Sequence, residues 1–210
     1  MNEPYTILLE GGEAETELKK SRFIAHVTPV STEEEAQAFV TSMKKQYYDA
    51  RHNCYAYVIG KDADKVKYAD DGEPAQTGGL PIYNVLKETG VRNAAIVVTR
   101  YFGGTLLGAG PLARMYGEAA KLGLEASKTG VMKYGISANV RSDYADGEKL
   151  RRHFEKQKVE VVNINYDTEV CFFIRFGFER FEEIERDVIS ITASKALIEK
   201  TGEAYYCEEQ

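Results

Sequence analysis

The stretch Thr99 to Arg114, TRYFGGTLLGAGPLAR, joins a run of buried-strand character to a long helix through four glycines, and no other segment limits the possible folds as strongly. Upstream, Asn93 to Val98 is nearly continuous apolar sequence, the pattern of a strand covered on both faces. Downstream, Pro111 suits a first helical turn, where its missing N–H needs no partner and its φ is already helical. Gly103, Gly104, Gly108 and Gly110 leave the backbone open to close approach, and free amides at the helix start attract anions. Arg100 and Arg114 flank the loop with positive charge. Tight turning and close packing explain the same glycines without any ligand, so both explanations stand at this level. Gly108 to Ala113 formally matches GxGxxA, but a dinucleotide site needs a following strand with an acidic residue about 20 residues on. Here that stretch, Leu124 to Lys128, continues the helical pattern and runs into a helix stop at Thr129-Gly130. A Walker-type GxxxxGK[ST] loop is absent as well.

With 210 residues, 43% hydrophobic and 29% charged, the chain has the composition of a globular protein of one or two domains. Its apolar runs are too short for a membrane helix, and the segment MNEPYTILLEGGEAE is acidic where a signal peptide is basic and then apolar. A cytoplasmic location and no membrane partner are expected. Cys54, Cys171 and Cys207 are widely spaced with no CxxC pair, as suits reduced thiols rather than a disulfide frame or a zinc site. Residues 1–130 carry 15 lysines and arginines against 17 acidic residues, and residues 131–210 carry 12 against 16, for a net charge of −6. Bulk charge therefore opposes a polyanionic partner, and any nucleic-acid binding must use a local basic surface.

The order of elements divides near Thr129-Gly130, which places one domain over residues 1–130 and another over 131–210. In the first, Tyr5 to Leu9 and Arg22 to Val27 read as strands around a charged turn at Gly11-Gly12. Ser31 or Thr32 caps a helix, with Ser31 and Glu34 at capping-box spacing and Lys44-Lys45 near its end. His52 to Ile59 and Lys65 to Tyr68 read as strands, and Pro81 to Thr89 as a helix closed by Gly90. In the second, strands at Met132 to Val140, Val159 to Asn165, Val170 to Phe178 and Ala204 to Cys207 alternate with helices at Tyr144 to Gln157 and Phe181 to about Ile198. That β-α-β-β-α-β order is the ferredoxin-like one, an antiparallel sheet with two helices on one face.

Arg51-His52-Asn53 opens one strand, and Asp70-Asp71-Gly72-Glu73-Pro74 forms an acidic turn. If both meet the glycine loop, three carboxylates, a histidine and two arginines line one cleft, suited to a phosphate with Mg²⁺ or to acid–base chemistry. An ordinary exposed turn has the same composition. His52 and Cys54 share a strand face, but their parallel projection suits core packing better than a nucleophile–base pair. Lys149, Arg152 and Lys156 give one helix a basic side, either a phosphate-contacting face or a solvated one tied to Glu148 and Glu155.

Four blocks in order, KKSRFIAHV (Lys19 to Val27), DARHNCYAYVIG (Asp49 to Gly60), DDGEPAQTGGLPI (Asp70 to Ile82) and TRYFGGTLLGAGPLARMYGEAA (Thr99 to Ala120), resemble the Impact/YigZ family over almost the whole chain. The resemblance implies an α+β protein: an amino-terminal domain similar to a small-subunit ribosomal protein and to domain four of elongation factor G, then a ferredoxin-like domain similar to domain five of that factor. Eukaryotic Impact proteins regulate translation during amino-acid stress, through an additional amino-terminal domain that has no counterpart in these residues. The resemblance puts weight on Arg51, His52, Asn53, Arg100, Tyr101, Gly103, Gly104, Gly108, Gly110 and Arg114 as an anion or nucleic-acid site, and on Asp70, Asp71 and Glu73 as an acidic cleft. The expectation is an RNA- or ribosome-associated protein that modulates translation without turnover, with no cofactor and no metal. The alternative is an enzyme acting on a phosphorylated or acylated small molecule in the same cleft. Sequence leaves the oligomeric state open.

Overall fold

The computed structural model describes residues 2–209, and the described chain forms two compact units, residues 5–130 and residues 131–209 with 2–4. The first unit is built on β2 (Glu13–Leu18), β3 (Ser21–Pro29), β4 (His52–Ile59), β5 (Lys65–Ala69) and β7 (Ala94–Tyr101), in the order β2-β3-β7-β4-β5. Every neighbouring pair in it is antiparallel. A short parallel pair joins β1 (Tyr5–Glu10) to β6 (Val91–Arg92).

The apolar run in β7 follows from its position at the centre of that sheet. Ala94, Ile96 and Val98 pack with Ile82 and Leu86 of α2 (Gly79–Thr89) and with Leu112, Met115 and Tyr116 of α3 (Ala109–Glu125). On the other face, Ala95 joins Val30, Tyr57, Ile59 and Ala36 of α1 (Glu33–Gln46). A strand clad on both sides has no solvent face for polar residues, so alternation disappears.

Capping of α1 uses residues one step later than the spacing of Ser31 and Glu34 suggests. Thr32 accepts a hydrogen bond from the Glu35 N–H at 3.2 Å, while the Glu35 carboxylate accepts from the Ser31 N–H at 2.6 Å. The charged segment after Gly11-Gly12 is not a plain turn: it holds β2, an edge strand whose Glu13, Glu15 and Glu17 side chains are exposed. Charge on one face of an edge strand is the usual guard against edge pairing, and it hides the strand in the sequence.

The second unit contains β8 (Lys128–Ser142), α4 (Tyr144–Lys156), β9 (Glu160–Tyr166), β10 (Val170–Phe176), α5 (Phe181–Ile191) and β11 (Leu197–Glu209). Its strands run β9-β10-β8-β11 across the sheet, with β10 antiparallel to both β8 and β9. Ile136, Ala138, Val140, Phe172, Ile174 and Phe176 form the core with Leu150 and Phe154 of α4 and Ile184 and Val188 of α5. Gly130 lies inside β8 rather than breaking the chain.

α5 is shorter than its apolar pattern suggests. Ala193 and Ser194 take φ of 51° and 65°, and the Ser194 N–H reaches back to the Ile189 carbonyl at 2.9 Å, a left-handed helix stop. Leu197 and Ile198 therefore begin a strand, because β11 starts eight residues before the Tyr205 region in which alternation becomes obvious.

Phe154 is fully buried and meets Phe172 edge to face at 5.4 Å. Phe154→Ala should lower the stability of the second unit by about 3–5 kcal/mol, read by urea unfolding.

Candidate functional site

Strand register assembles the site. Arg100 of β7 stands opposite Phe23 of β3 on one side and His52 of β4 on the other, so the three side chains form a row on one sheet face. The acidic turn supplies the next element. The Glu73 N–H closes onto the Asp70 carbonyl at 2.9 Å, with φ of 46° at Asp71 and 87° at Gly72, the pattern of a type I′ turn. This geometry delivers the Glu73 carboxylate to Arg100: Nη1 donates to Oε1 at 2.7 Å, and the Tyr116 hydroxyl of α3 donates to the same oxygen at 2.8 Å. Both ionic side chains are nearly sealed, 7% and 4% exposed. The Arg100 guanidinium also lies 5.5 Å from the Phe23 ring centre and 5.6 Å from that of Phe102. Its Nε–H is buried and has no acceptor.

A pocket of about 430 Å³ opens here, lined by Arg51, His52, Gly72, Glu73, Pro74, Arg100, Phe102 and the stretch from Leu106 to Ala109 with Leu112. His52 is oriented by the turn: Nδ1 lies 2.9 Å from the Asp71 carbonyl oxygen, which can only accept, so that nitrogen carries the proton. The start of α3 forms another wall. Gly108 is its N-cap, with φ of 82°, no side chain caps it, and its first turn has no acidic residue. The helix thus presents uncapped amides to a cavity that already holds two arginines.

The glycines divide by function. A Cβ on Gly103 would lie 2.1 Å from the Lys20 carbonyl carbon, so this residue lets the loop pass against β3, and its N–H donates to Ser21 Oγ at 3.1 Å. Gly104 and Gly108 take φ of 85° and 82° with open space around them, and Gly110 faces open space inside α3.

The remaining sequence candidates sort cleanly. Arg51, His52, Glu73, Arg100 and Gly108 line the pocket, whereas Asp70, Asp71, Asn53, Tyr101, Gly103, Gly104, Gly110 and Arg114 do not. Asp70 braces the segment that follows it: its carboxylate accepts from the N–H groups of Gln76, Gly78 and Gly79 at 2.8, 2.9 and 2.9 Å. Burial opposes its ionisation, but these three donors outweigh burial and hold the carboxyl below the ordinary range. Asp71 accepts from the Asn53 N–H at 2.8 Å and pairs with Lys44. Asn53 is buried and accepts from the Thr99 hydroxyl at 2.6 Å. Tyr101 donates to Asp49 at 2.8 Å, and Arg114 is exposed on α3. The turn is therefore a structural brace from which only Glu73 reaches the pocket wall. Among the described residues no cluster of three or more metal-ligating side chains occurs. Burial raises the Cys54 thiol far above its ordinary value, and that thiol donates to the Asp70 carbonyl.

In the second unit, Lys149 pairs with Asp146 at 2.7 Å and Arg152 with Glu148 at 3.1 Å, while Lys156 is exposed. Hydrogen bonds from Arg151 and then Arg152 pull the Glu148 carboxyl down to about 2. These contacts describe a helix face laced with ion pairs. Phe102, Leu106, Leu107, Leu112 and Tyr116 also belong to the site and are not among the residues the sequence singles out. Phe102 and Leu106 carried one signal, being large apolar residues in a glycine-rich loop, and they are 51% and 85% exposed.

Fold and pocket together define a class: two-unit α+β proteins whose first unit sets a buried arginine beside an uncapped helix start. Comparison with known proteins gives the family. Residues 19–124 match the Impact N-terminal domain. IMPACT family member YvyE of Bacillus subtilis (strain 168) is 38% identical over 205 residues, covering 98% of this chain and 94% of the relative. IMPACT family member YigZ of Escherichia coli (strain K12) is 46% identical over 103 residues, covering 48% of this chain and 50% of the relative. The crystal structure of a hypothetical protein matches with a TM-score of 0.61 at 28% identity, covering 94% of this chain and 97% of the other. The chain belongs to the Impact family. No helix among the described residues is long and apolar enough to cross a membrane.

Removing one partner of the Arg100–Glu73 pair strands a buried charge. Arg100→Ala should destabilise the first unit by about 3–5 kcal/mol in urea unfolding. Asp70 behaves differently with pH. Its folded pKa is depressed, so its stabilisation is complete above the unfolded value of about 3.9 and is lost as pH falls through the lower folded value. Asp70→Asn should therefore cost about 1–3 kcal/mol at pH 7 and flatten the acid limb of the stability curve, measured by urea midpoints from pH 7 to pH 2.

Proposed function

We propose that this protein binds RNA in the translation apparatus and modulates translation, with the pocket of the first unit as its phosphate contact. One observation carries the reading: Arg51, far from the other two in sequence, lines a single cavity with Arg100 and the uncapped start of α3. Phosphate oxygens are met by arginine and helix-terminal amides in this manner. Membership of the Impact family supports the link to translation through the Impact N-terminal domain that these residues share with the eukaryotic members, not through the additional domain by which those members act. We further infer that the first unit is akin to a small-subunit ribosomal protein and to domain four of elongation factor G, and the second to domain five. The β9-β10-β8-β11 strand order supports the second likeness. On this reading residues 1–130 and 131–210 act as two domains in the cytoplasm, and the side of α4 bearing Lys149, Arg152 and Lys156 adds a weaker basic surface.

A second reading has its own observation. His52 has its Nδ1–H fixed on a carbonyl, which leaves Nε2 as the acceptor beside Glu73 and Arg100, an arrangement suited to a general base. An enzyme acting on a phosphorylated or acylated small molecule would use the same cavity, and thermal stabilisation by such a ligand would favour it.

The translation reading is tested by co-sedimentation with ribosomal subunits over a range of salt. Arg51 is the residue to change, because it is exposed and its loss leaves the buried pair intact. Pelleting should weaken as salt rises, and Arg51→Ala should lower the slope of log K against log salt by about 1. Absence of pelleting at any salt would sink the reading.

A further inference from the structure

The second unit presents a face of its own. Its helices cover the side of the sheet that carries Phe172, Ile174 and Phe176, so the alternate residues of β10 belong to the opposite side. Phe173 is one of them and stands outside the core. Register sets it in a row between two carboxamides, with Asn139 of β8 opposite it on one side and Asn163 of β9 on the other. The second neighbour is the product of a bulge. Arg175 faces Glu160 and Ile174 faces Val161, so unbroken pairing would set Val162 opposite Phe173; the extra residue sets Asn163 there instead. All three residues of the row line a cavity of about 300 Å³, together with Ser137, Arg175 and Thr201.

We propose that this face binds an unpaired nucleotide of a single-stranded RNA, with the base on the Phe173 ring and its edge met by the Asn139 and Asn163 amides. The choice of RNA rests on the reading given above, but every residue of the face belongs to the second unit. The chemistry of the row carries the proposal. An aromatic ring offers a stacking surface to any base, and a carboxamide on each side brings both a donor and an acceptor within reach of the base edge. Those amides are available: Asn139 makes no side-chain hydrogen bond among the described residues, and Asn163 uses its NH2 group on Asn165 at 2.9 Å, which leaves its carbonyl oxygen open.

Charge on the neighbouring rows suits a phosphate. Arg141 lies two residues beyond Asn139 on β8, about 7 Å along the strand, where it is exposed and has no ion pair among the described residues. At the other end of the face Arg175 is positioned by the Tyr205 carbonyl, which accepts from Nη1 at 3.3 Å. The carboxylate opposite Arg175, Glu160, accepts from the Cys207 N–H at 3.3 Å, so two arginines stand against one occupied carboxylate. A face built for a protein partner has a largely apolar centre. Here one ring and Val162 stand among amides, hydroxyls and guanidinium groups. The cavity is at the lower limit of the roughly 300–1,000 Å³ range of small-ligand sites, room for one nucleotide. A duplex keeps the faces of its bases stacked on one another and offers none to Phe173.

The experiment measures fluorescence anisotropy of a labelled ten-nucleotide single-stranded RNA and of a duplex of the same length, with the full chain at about 0.15 M salt. The single strand should bind ten-fold or more tightly than the duplex. Phe173→Leu, which keeps an apolar side chain and removes the ring, should weaken the single strand about five-fold or more, and Asn139→Ala about three-fold, with duplex binding unchanged. Arg141→Gln should lower the slope of log K against log salt by about 0.7. Thermal melting checks that each variant is folded, and photo-crosslinking of a 4-thiouridine RNA to the unaltered protein supplies a readout that no substitution disturbs: the crosslink should fall in β10 or in the strands beside it. Crosslinks confined to residues 5–130, or full affinity in folded Phe173→Leu and Asn139→Ala, would overturn this site and leave RNA binding through the first unit in place. Equal binding of strand and duplex would overturn it as well. No binding of any RNA would overturn both readings.

Discussion

The Arg100–Glu73 pair is the point on which the first unit turns. It ties the central strand to the acidic turn, and through Tyr116 it ties both to α3. Two charges sealed at 7% and 4% exposure are expensive to desolvate, and their attraction offsets that only when geometry is good and further hydrogen bonds are made. Tyr116 makes one such bond and the two aromatic rings flank the cation, while the buried Nε–H of Arg100 has no acceptor. A fold that needed only a stable core would fill this space with apolar side chains at lower cost. The pair instead fixes the position of Arg100 on the pocket wall beside the uncapped start of α3.

The acidic turn illustrates how a motif can mislead through its composition. Three carboxylates within four residues resemble a metal-ligating or acid–base cluster, yet each oxygen group has a local duty. Asp70 braces three amides, Asp71 holds the start of β4 and Lys44, and Glu73 alone faces the pocket. Short acidic side chains in tight turns satisfy nearby amides before they are available to anything else. The depressed titration of Asp70 reports that backbone duty, so a perturbed carboxyl here marks architecture rather than chemistry.

Much of the fold was legible because burial leaves a periodic trace. The two-faced burial of β7 shows as an unbroken apolar run, and the β-α-β-β-α-β order of the second unit shows as alternating periods. What escaped has physical reasons. β2 carries its glutamates on an edge, so it reads as a turn. The end of α5 depends on left-handed Ala193 and Ser194, residues with no marked preference for that conformation. In the site, the Arg51-His52 pair, Glu73 and the glycine loop were visible as types, but their union depends on strand register, which no local pattern encodes. Tyr116 looked like one more apolar position on a helix stripe, since only its hydroxyl distinguishes it.

The acidic balance of the chain, −6 overall, is compatible with a phosphate-binding pocket because of distance. At physiological salt, exposed charges more than about 8 Å apart are largely screened, so remote carboxylates weigh little on a bound phosphate. Charges on the pocket wall weigh heavily: Arg51 and Arg100 exceed Glu73 by one, and the helix start adds a further partial positive charge. Such a site attracts an anion only at close range. Net negative charge then acts against indiscriminate binding to polyanions. Affinity for an anion is then concentrated at the pocket wall, where Arg51, Arg100 and the uncapped start of α3 stand together.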